Sequence, residues 1–450
     1  MGTVLRGGTV VTMDASRRVV HGDVRIDGDR IVGVGAIEAE AGDTIVDASG
    51  AAVIPGLVQA HVHLCQALFR GMADDLPLLA WLKERIWPFE AAHTPESLRA
   101  SAELGLAEML LGGTTTILDM GTVHHQDAVF EAILVSGMRA RSGKAMMDVG
   151  DDVPAGLRES RAASVAESVR LRDRWDGAAG GRLGYAFAPR FILSCSEGLL
   201  RDVAAAAAEG KNLVHTHVAE HADERAAVRQ VLGRDDLEAL EAYGIAGPRA
   251  VMAHGVQLTA EEMRRVAERG TRIVHCPSAN LKLASGIADV RALREAGVVV
   301  ALGADGAPCN NRMDAWTELR EAALLAKVKS ESAAAIPARE AFELITVDGA
   351  RALGLENEIG SIEVGKRADV VVVGLDALHQ WPGGAVPGNG GLGGDVYSTL
   401  VYATTPADVR SVFVDGRCVV DRGELRSLDV EAVRAAARLE AERLLGRVAA

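Results

Sequence analysis

From about residue 54 to residue 350, the sequence alternates short apolar runs with longer stretches rich in Ala, Leu, Glu and Arg. One example is the apolar run 299–302, followed after a turn by the helix-like stretch 315–327. The apolar runs are typical of buried strands, and the longer stretches are typical of helices. Repeated βα units over roughly 300 residues predict a (β/α)8 TIM barrel, a fold that usually takes about 250 residues.

The two ends of the chain have a different pattern, in which short strand-like alternations are separated by turn residues. A turn at Asp27-Gly28 separates two such strands near the N-terminus, and a turn at Asp415-Gly416 follows another near the C-terminus. Neither end has enough strands to form a stable sheet alone. We therefore predict that the two ends pair with each other.

These patterns predict an α/β protein with three parts. Both chain ends, 1–54 and 360–425, form one small β-sandwich domain, and 55–359 form the (β/α)8 barrel. The segment 426–450 is predicted to be a C-terminal helix, and the glycine-rich segment 383–394 a loop near the barrel mouth.

Charge and cysteine content restrict the partners of this chain. The formal net charge is -14, whereas nucleic-acid binding needs a dense basic face. The five cysteines are scattered and never spaced as CxxC, which indicates neither a disulfide framework nor a thiolate zinc site. The N-terminus lacks the pattern of a signal peptide, and no apolar run is long enough to span a bilayer. We expect a cytoplasmic protein that binds neither nucleic acid nor membranes.

Polar residues end four of the apolar runs in the middle of the chain. In a barrel of this kind the reactive groups lie at the C-terminal ends of the strands. His61 and His63 are two residues apart on a strand, so they point to the same side and can offer two imidazoles to one metal ion. The other three strand ends carry His215 and His217 with Glu220 close behind, His254, and Asp305. This succession is improbable by accident and predicts an active site.

The segment 53–63, VIPGLVQAHVH, resembles the first-strand signature of nucleobase deaminases in the amidohydrolase superfamily, and the resemblance covers nearly the whole chain. It implies a mononuclear site whose ligands are His61, His63, His217 and Asp305. Zn²⁺ is the favoured ion, and Fe²⁺ is the alternative. No lysine ends a middle strand to bridge a second metal, which also favours one ion.

The resemblance further implies that Glu220 and His254 lie beside the metal-bound water as catalytic groups. A divalent ion held in this way lowers the pKa of bound water from 15.7 toward ~7. Glu220 would shuttle protons to the ring nitrogen and the leaving amine, His254 would polarise the attacking oxygen, and Asp305 would serve as ligand and base. His215 matches no ligand position and is predicted only to line the barrel.

Two sets of similar sequences favour different substrates. The segment 188–197, APRFILSCSE, resembles guanine deaminases, which implies that Gln66 and Arg190 hold the polar edges of a purine. The segments 303–311 and 278–283 are instead similar to S-adenosylhomocysteine and 5'-deoxyadenosine deaminases and to triazine hydrolases.

Two further candidates for substrate binding come from the run Trp87-Pro88-Phe89-Glu90. Glu90 matches the glutamate that binds ribose hydroxyls in nucleoside deaminases, although a similar Pro-x-Glu occurs in guanine deaminases. Trp87 could stack on a planar ring, as could three other aromatic residues, Phe69, Trp81 and Phe191.

The resulting prediction is a hydrolase of C–N bonds in cyclic amidines that deaminates an amino-substituted heterocycle. A guanine-type purine is the first choice of substrate. The alternatives are a deaminase of S-adenosylhomocysteine, 5'-deoxyadenosine or methylthioadenosine, an s-triazine chlorohydrolase or aminohydrolase, and a non-catalytic barrel. Arg190 separates the first two, because a substrate carbonyl favours guanine whereas a protein carboxylate would make the residue structural. The expected partners are the heterocycle, water, and further copies of the chain in a homodimer or larger homo-oligomer.

Overall fold

The computed structural model describes residues 2–382 and 394–449. The glycine-rich segment predicted to form a loop therefore lies, except for Gly394, outside the described residues. The strands form two separate sheets, one in the middle of the chain and one from its ends. In chain order they are β1 (Thr3–Val11), β2 (Val19–Asp27), β3 (Arg30–Gly35), β4 (Thr44–Asp47), β5 (Ala51–Pro55), β6 (Leu57–Val62), β7 (Thr114–Met120), β8 (Arg139–Gly143), β9 (Ala145–Met146), β10 (Leu183–Pro189), β11 (Leu213–Val218), β12 (Ala250–His254), β13 (Arg272–His275), β14 (Val300–Leu302), β15 (Val370–Gly374), β16 (Val409–Val414), β17 (Arg417–Asp421) and β18 (Glu424–Leu425).

The middle sheet is a barrel of parallel strands in the order β6, β7, β8, β10, β11, β12, β13 and β14, with the short β9 beside β10. Asp305, just after β14, forms a parallel bridge with Val62 at the end of β6. The Asp305 N–H also donates to the His61 carbonyl at 3.1 Å. The predicted barrel is confirmed, and its two ends meet at the residues that carry the candidate chemistry.

Helices surround the barrel strands, which explains why strands such as β7, β10 and β12 are buried along their whole length. The helices are α1 (Leu78–Trp81), α2 (Trp87–Ala91), α3 (Pro95–Leu111), α4 (Gln126–Ser136), α5 (Arg161–Trp175), α6 (Glu197–Gly210), α7 (Ala222–Leu232), α8 (Asp236–Ala242), α9 (Ala260–Arg269), α10 (Pro277–Lys282), α11 (Val290–Glu295), α12 (Ala307–Asn310), α13 (Ala315–Lys329), α14 (Ala338–Leu344), α15 (Val347–Ala352), α16 (Val396–Tyr402) and α17 (Val430–Ala449). A π-helical turn, Leu82–Ile86, joins α1 to α2, and single 3₁₀ turns form at Leu64–Phe69, Ile192–Ser194 and Pro406–Asp408.

The two chain ends pair with each other, as the sequence predicted. Strand β15 runs antiparallel to β5, with Val372 opposite Val53, and β5 is parallel to β1. Phe413 of β16 packs with these strands in a separate apolar cluster. The result is one mixed sheet in the order β18, β17, β16, β15, β5, β1, β2 and β3, with β4 beside β1.

The C-terminal helix α17 returns to the barrel and packs on α3 and α2. Leu444 is buried in this contact, and Arg447 Nε donates to the Ala92 carbonyl at 2.7 Å. We propose the predicted division at residues 54, 359 and 425 as the boundaries of the structural units. Over residues 2–382 and 394–449, we find no helix that is both long enough and apolar enough to cross a membrane.

Candidate active site

The C-terminal ends of three barrel strands bring the predicted metal ligands together. His61 and His63 come from β6, His217 comes from β11, and Asp305 follows β14. Asp305 Oδ1 lies 3.3 Å from Nε2 of His61 and 3.3 Å from Nε2 of His63. One ligand atom from each of the three histidines lies within 4.8 Å of the others. The four side chains thus converge on one point in the protein interior.

The rear nitrogens of two imidazoles are held by backbone carbonyls. His63 Nδ1 donates to the Met120 carbonyl at 2.8 Å, and His217 Nδ1 donates to the Arg190 carbonyl at 2.7 Å. Each bond places a ring proton on Nδ1, so Nε2 is the nitrogen that faces the cluster. Burial lowers the pKa of His61 to about 4, so the imidazole of His61 is neutral.

His61 Nε2 is also buried and, although Asp305 Oδ1 lies 3.3 Å away, it forms no hydrogen bond of suitable geometry within the described part of the chain. A buried nitrogen without a partner is costly, which indicates that a ligand fills the cluster. Three neutral imidazoles and one carboxylate are a suitable donor set for a single divalent transition ion. The residues present therefore fit the metal site that the sequence predicted.

His215 has a position that the sequence reasoning missed. Its Nε2 lies 2.8 Å from Nδ1 of His61, and both rings are fully buried. His215 therefore occupies, behind His61, the place that backbone carbonyls occupy behind His63 and His217. The available signal was its spacing, because two residues before His217 on a strand it must point to the same side as that ligand.

Glu220 and His254 face the cluster from the ends of β11 and β12. Glu220 Oε2 lies 3.4 Å from His254 Nε2, which in turn lies 3.9 Å from Asp305 Oδ2. Asn280 Oδ1 holds the rear His254 Nδ1 at 3.0 Å. Burial, together with the nearby Glu224 and Asp305 carboxylates, raises the pKa of Glu220 well above its usual value. This direction of the shift favours the protonated acid, which is the form that can deliver a proton.

A pocket opens in front of these groups. Four apolar side chains from two segments line it, together with eight polar side chains. The apolar residues are Leu78, Trp81, Leu82 and Phe191, and the polar residues are His63, Gln66, Arg190, His217, Glu220, Glu224, His254 and Asp305. Trp87 is buried beside Phe191, with ring centroids 6.5 Å apart, and is not among these lining residues. Trp81 and Phe191 are the aromatic residues that reach the cavity wall.

Gln66, Glu90 and Arg190 form one buried group. Arg190 donates from Nη1 to Glu90 Oε2 at 2.5 Å and from Nη2 to Glu90 Oε1 at 3.1 Å. Gln66 Nε2 donates to the same Glu90 Oε1 at 2.8 Å. Burial alone would raise the pKa of Glu90, but the Arg190 guanidinium outweighs it and holds that pKa below its usual value. Glu90 thus lies behind Arg190 and Gln66 as an ionised partner, whereas Gln66 Oε1 remains without a hydrogen bond among the described residues.

The chain is similar to known proteins over most of its length. The model of the Amidohydrolase family matches residues 52–419. A 5-methylthioadenosine/S-adenosylhomocysteine deaminase of Halobacterium salinarum is 42% identical over 98% of this chain and 97% of its own length. A 5'-deoxyadenosine deaminase of Methanothermobacter thermautotrophicus is 38% identical over 95% of both chains.

Two solved structures are similar to this chain in their fold. An adenosine deaminase from Xanthomonas campestris with bound zinc superposes with a TM-score of 0.91 and 35% identity, covering 99% of this chain and 98% of that one. The guanine deaminase of E. coli superposes with a TM-score of 0.81 and 30% identity, covering 94% and 98%.

Proposed function

The chain belongs to the amidohydrolase family, and from that premise we propose that it deaminates an adenosine-type nucleoside with a 5'-deoxy or 5'-thioether group. The predicted family, the barrel fold and the class of enzyme, a hydrolase of C–N bonds, are confirmed. The observation that carries the proposal is the meeting of Glu220 and His254 with the four-residue cluster at one cavity. In the proposed reaction one water is consumed, one ammonia leaves, and the amino-purine becomes an oxo-purine.

We propose His61, His63, His217 and Asp305 as ligands of one Zn²⁺ ion, with Fe²⁺ as the alternative. When bound, the ion would supply an activated water as the nucleophile. Glu220 would donate its proton to the ring nitrogen. Asp305 would take up the proton that the water loses, and this second proton would pass through Glu220 to the departing amine. His254, held by Asn280, would orient the attacking oxygen.

The state of Arg190 favours the adenosine-type substrate over guanine. The sequence made this residue decisive, because a guanidinium without a protein partner would need a substrate carbonyl. Glu90 instead neutralises Arg190 through two hydrogen bonds, so the site carries no unpaired cation at this position. The relatives at 38% and 42% identity also bear nucleoside names, whereas the guanine deaminase is 30% identical.

The same ion pair changes how a ribose would be held. Glu90 is screened from the cavity by Arg190 and Gln66, so we propose that a ribose hydroxyl meets Gln66 Oε1 and not Glu90. Gln66 Oε1 is a buried acceptor that needs a donor, and a hydroxyl can supply one. Leu78, Trp81 and Leu82 give the pocket apolar lining that suits a 5'-deoxy or 5'-methylthio group.

The s-triazine chlorohydrolase alternative is less well supported by the site. Displacing chloride needs no protonated leaving group, whereas releasing ammonia does, and Glu220 is a buried acid placed to provide that proton. The homo-oligomeric state and the cytoplasmic location remain predictions.

A substrate screen tests the proposal. Zinc-loaded protein would be assayed by ultraviolet absorbance and ammonia release with 5'-deoxyadenosine, methylthioadenosine, S-adenosylhomocysteine, guanine and melamine. We expect the highest kcat/KM among the three nucleosides. A preference for guanine or melamine, or no turnover of any nucleoside, would contradict the proposal.

The Glu220→Gln variant tests the proton transfer separately. It should retain zinc, because Glu220 is not a proposed ligand, and should lose about 10²-fold to 10⁴-fold in kcat, the usual contribution of a general acid or base. Wild-type turnover by this variant would remove Glu220 from the mechanism.

A further inference from the structure

The segment that carries Glu220 is held in an unusual backbone conformation. Ala219, between β11 and Glu220, has a φ of +49°, which is uncommon for any residue other than glycine. Its N–H donates to Asp236 Oδ2 at 2.5 Å, and the N–H of Glu220 donates to Glu224 Oε2 at 3.2 Å. Two buried carboxylates, from α8 and α7, thus fix consecutive backbone amides at the position from which the Glu220 side chain enters the cavity.

The segment after His254 is tied to the same place. Gly255 N–H donates to the Val218 carbonyl at 3.0 Å, and Gln257 N–H donates to the Ala219 carbonyl at 2.8 Å. Arg225 Nη1 then donates to the Gln257 carbonyl at 2.5 Å. The two segments that carry the proposed proton-transfer groups are therefore joined to each other and to one arginine.

Arg225 lies at the centre of this network and is almost fully buried, with only 3% of its surface exposed. Its Nε lies 3.4 Å from Asp236 Oδ1, its Nη2 lies 3.1 Å from Asp235 Oδ1, and it also pairs with Glu262. Glu262 in turn caps the start of α9 by accepting from Thr259 N–H at 2.8 Å. Because buried ion pairs lose much of their attraction to desolvation, stability alone gives this chain little reason to bury so many charges. What these charged residues have in common is that they hold the backbone segments that carry Glu220 and His254.

We propose that Asp236, Glu224 and Arg225 are positioning residues that hold Glu220 and His254 at the reacting centre. This inference rests on the proposed function, because the three residues act only through those two groups. Asp236 makes the most direct contact, since it contacts both the Arg225 guanidinium and the amide that precedes Glu220. A displacement of about 1 Å at a catalytic group can cost 10²-fold in rate, so a bond to this amide can control turnover.

Two substitutions at Asp236 separate positioning from stability. Asp236→Asn and Asp236→Ala both remove the charge opposite Arg225, so both should lower the melting temperature. Only asparagine keeps an oxygen that can accept from the Ala219 N–H. We expect Asp236→Ala to lose about 10-fold to 100-fold in kcat with KM and zinc content unchanged, and Asp236→Asn to recover most of that loss. Arg264→Ala is the control, because its exposed pairs with Glu261 and Glu268 touch neither segment, and it should keep the wild-type kcat.

A double-variant cycle tests whether Asp236 acts through Glu220. If it does, adding Asp236→Ala to Glu220→Gln should cost less activity than Asp236→Ala costs alone, because one of the two groups being positioned is already lost. Full additivity of the two losses would contradict the inference. Wild-type kcat in Glu220→Gln would instead count against the proposed function, and the two failures are therefore distinguishable.

The remaining outcomes also decide the question. Equal kcat losses in Asp236→Ala and Asp236→Asn would show that charge, and not the bond to Ala219, matters, and the inference would be overturned. Unchanged kcat in both would overturn it as well. If Asp236→Ala does not fold, Glu224→Ala and Glu224→Gln repeat the comparison for the Glu220 N–H. Both remove the Glu224 charge, and glutamine, which keeps the acceptor oxygen, is expected to lose less kcat than alanine.

Discussion

The metal site and the Arg190–Glu90 pair differ in whether their buried polar atoms have partners within the protein. On the metal side, Nε2 of His61 and Nε2 of His254 are buried and have no hydrogen-bond partner within the described residues. On the substrate side, Arg190 and Glu90 satisfy each other through two hydrogen bonds. A buried atom without a partner indicates a missing ligand, whereas a buried pair is complete without one. The structure thus indicates an ion on one side and gives Arg190 a structural partner on the other.

The largest effect is expected on the metal side, from His63→Ala. Removing one of three imidazoles leaves too few donors to hold the ion, and metal and activity should be lost together. Elemental analysis and turnover measured on the same sample would test this. His21, which is exposed on β2, provides the matched control, and His21→Ala should keep both properties. Full zinc content in active His63→Ala protein would exclude His63 as a ligand.

On the substrate side, Glu90→Gln should mainly reduce stability. It leaves the buried Arg190 without its counter-charge, a loss that typically costs about 3 to 5 kcal/mol in the free energy of unfolding. Urea denaturation would measure it. In the double variant Glu90→Gln/Arg190→Met, most of the stability should return, because no unpaired charge remains. A double variant as unstable as Glu90→Gln would show that the pair is not the reason for the loss.

The pH dependence of stability has a definite sign for this pair. The pKa of Glu90 is lower in the folded protein than its ordinary value of 4.5. Its stabilising contribution is therefore complete above that ordinary value and disappears as the pH falls through the lowered pKa. The stability difference between wild type and Glu90→Gln should consequently narrow in acid. A difference that stayed constant down to the acid transition would contradict this assignment.

The same contrast explains what could be predicted from the sequence. The metal side comes from residues at the ends of successive apolar strands, such as His61, His63 and Asp305, and a barrel places all strand ends together. The strand-ending pattern is local, so the barrel and the cluster were both predictable. The pairing of the chain ends through β5 and β15 was predictable because neither end could form a sheet alone.

The substrate side could not be derived in this way. Glu90 and Arg190 are 100 residues apart, and each comes from a loop or helix whose position depends on packing. The sequence indicates that Arg190 needs a partner, but it does not show whether that partner is a substrate carbonyl or a protein carboxylate. The roles suggested for Gln66 and Trp87 also depended on distances that only the folded chain supplies. Arg225 and Asp236 were missed because charged residues on helices usually face solvent.

The smallest of these effects is expected from His215, which lies behind a ligand and not at the ion. If His61 binds a metal through Nε2, its proton must lie on Nδ1 and be donated to His215 Nε2, 2.8 Å away. His215 then keeps its own proton on Nδ1. This single arrangement of protons orients the His61 ring in the way that backbone carbonyls orient His63 and His217. Such partners behind a ligand typically contribute 10-fold to 100-fold in metal affinity.

A matched pair of substitutions tests that role. His215→Phe keeps a planar ring but removes the acceptor, so zinc affinity, measured by competition with a chelator, should fall by about 10-fold to 100-fold. His215→Gln can place an oxygen near the former Nε2 position and should recover part of the affinity. Because His215 does not line the cavity, kcat at saturating zinc should change much less than affinity in both variants. If His215→Phe bound zinc as tightly as wild type, packing alone would orient the His61 ring. The hydrogen bond from His61 to His215 would then contribute nothing to metal affinity.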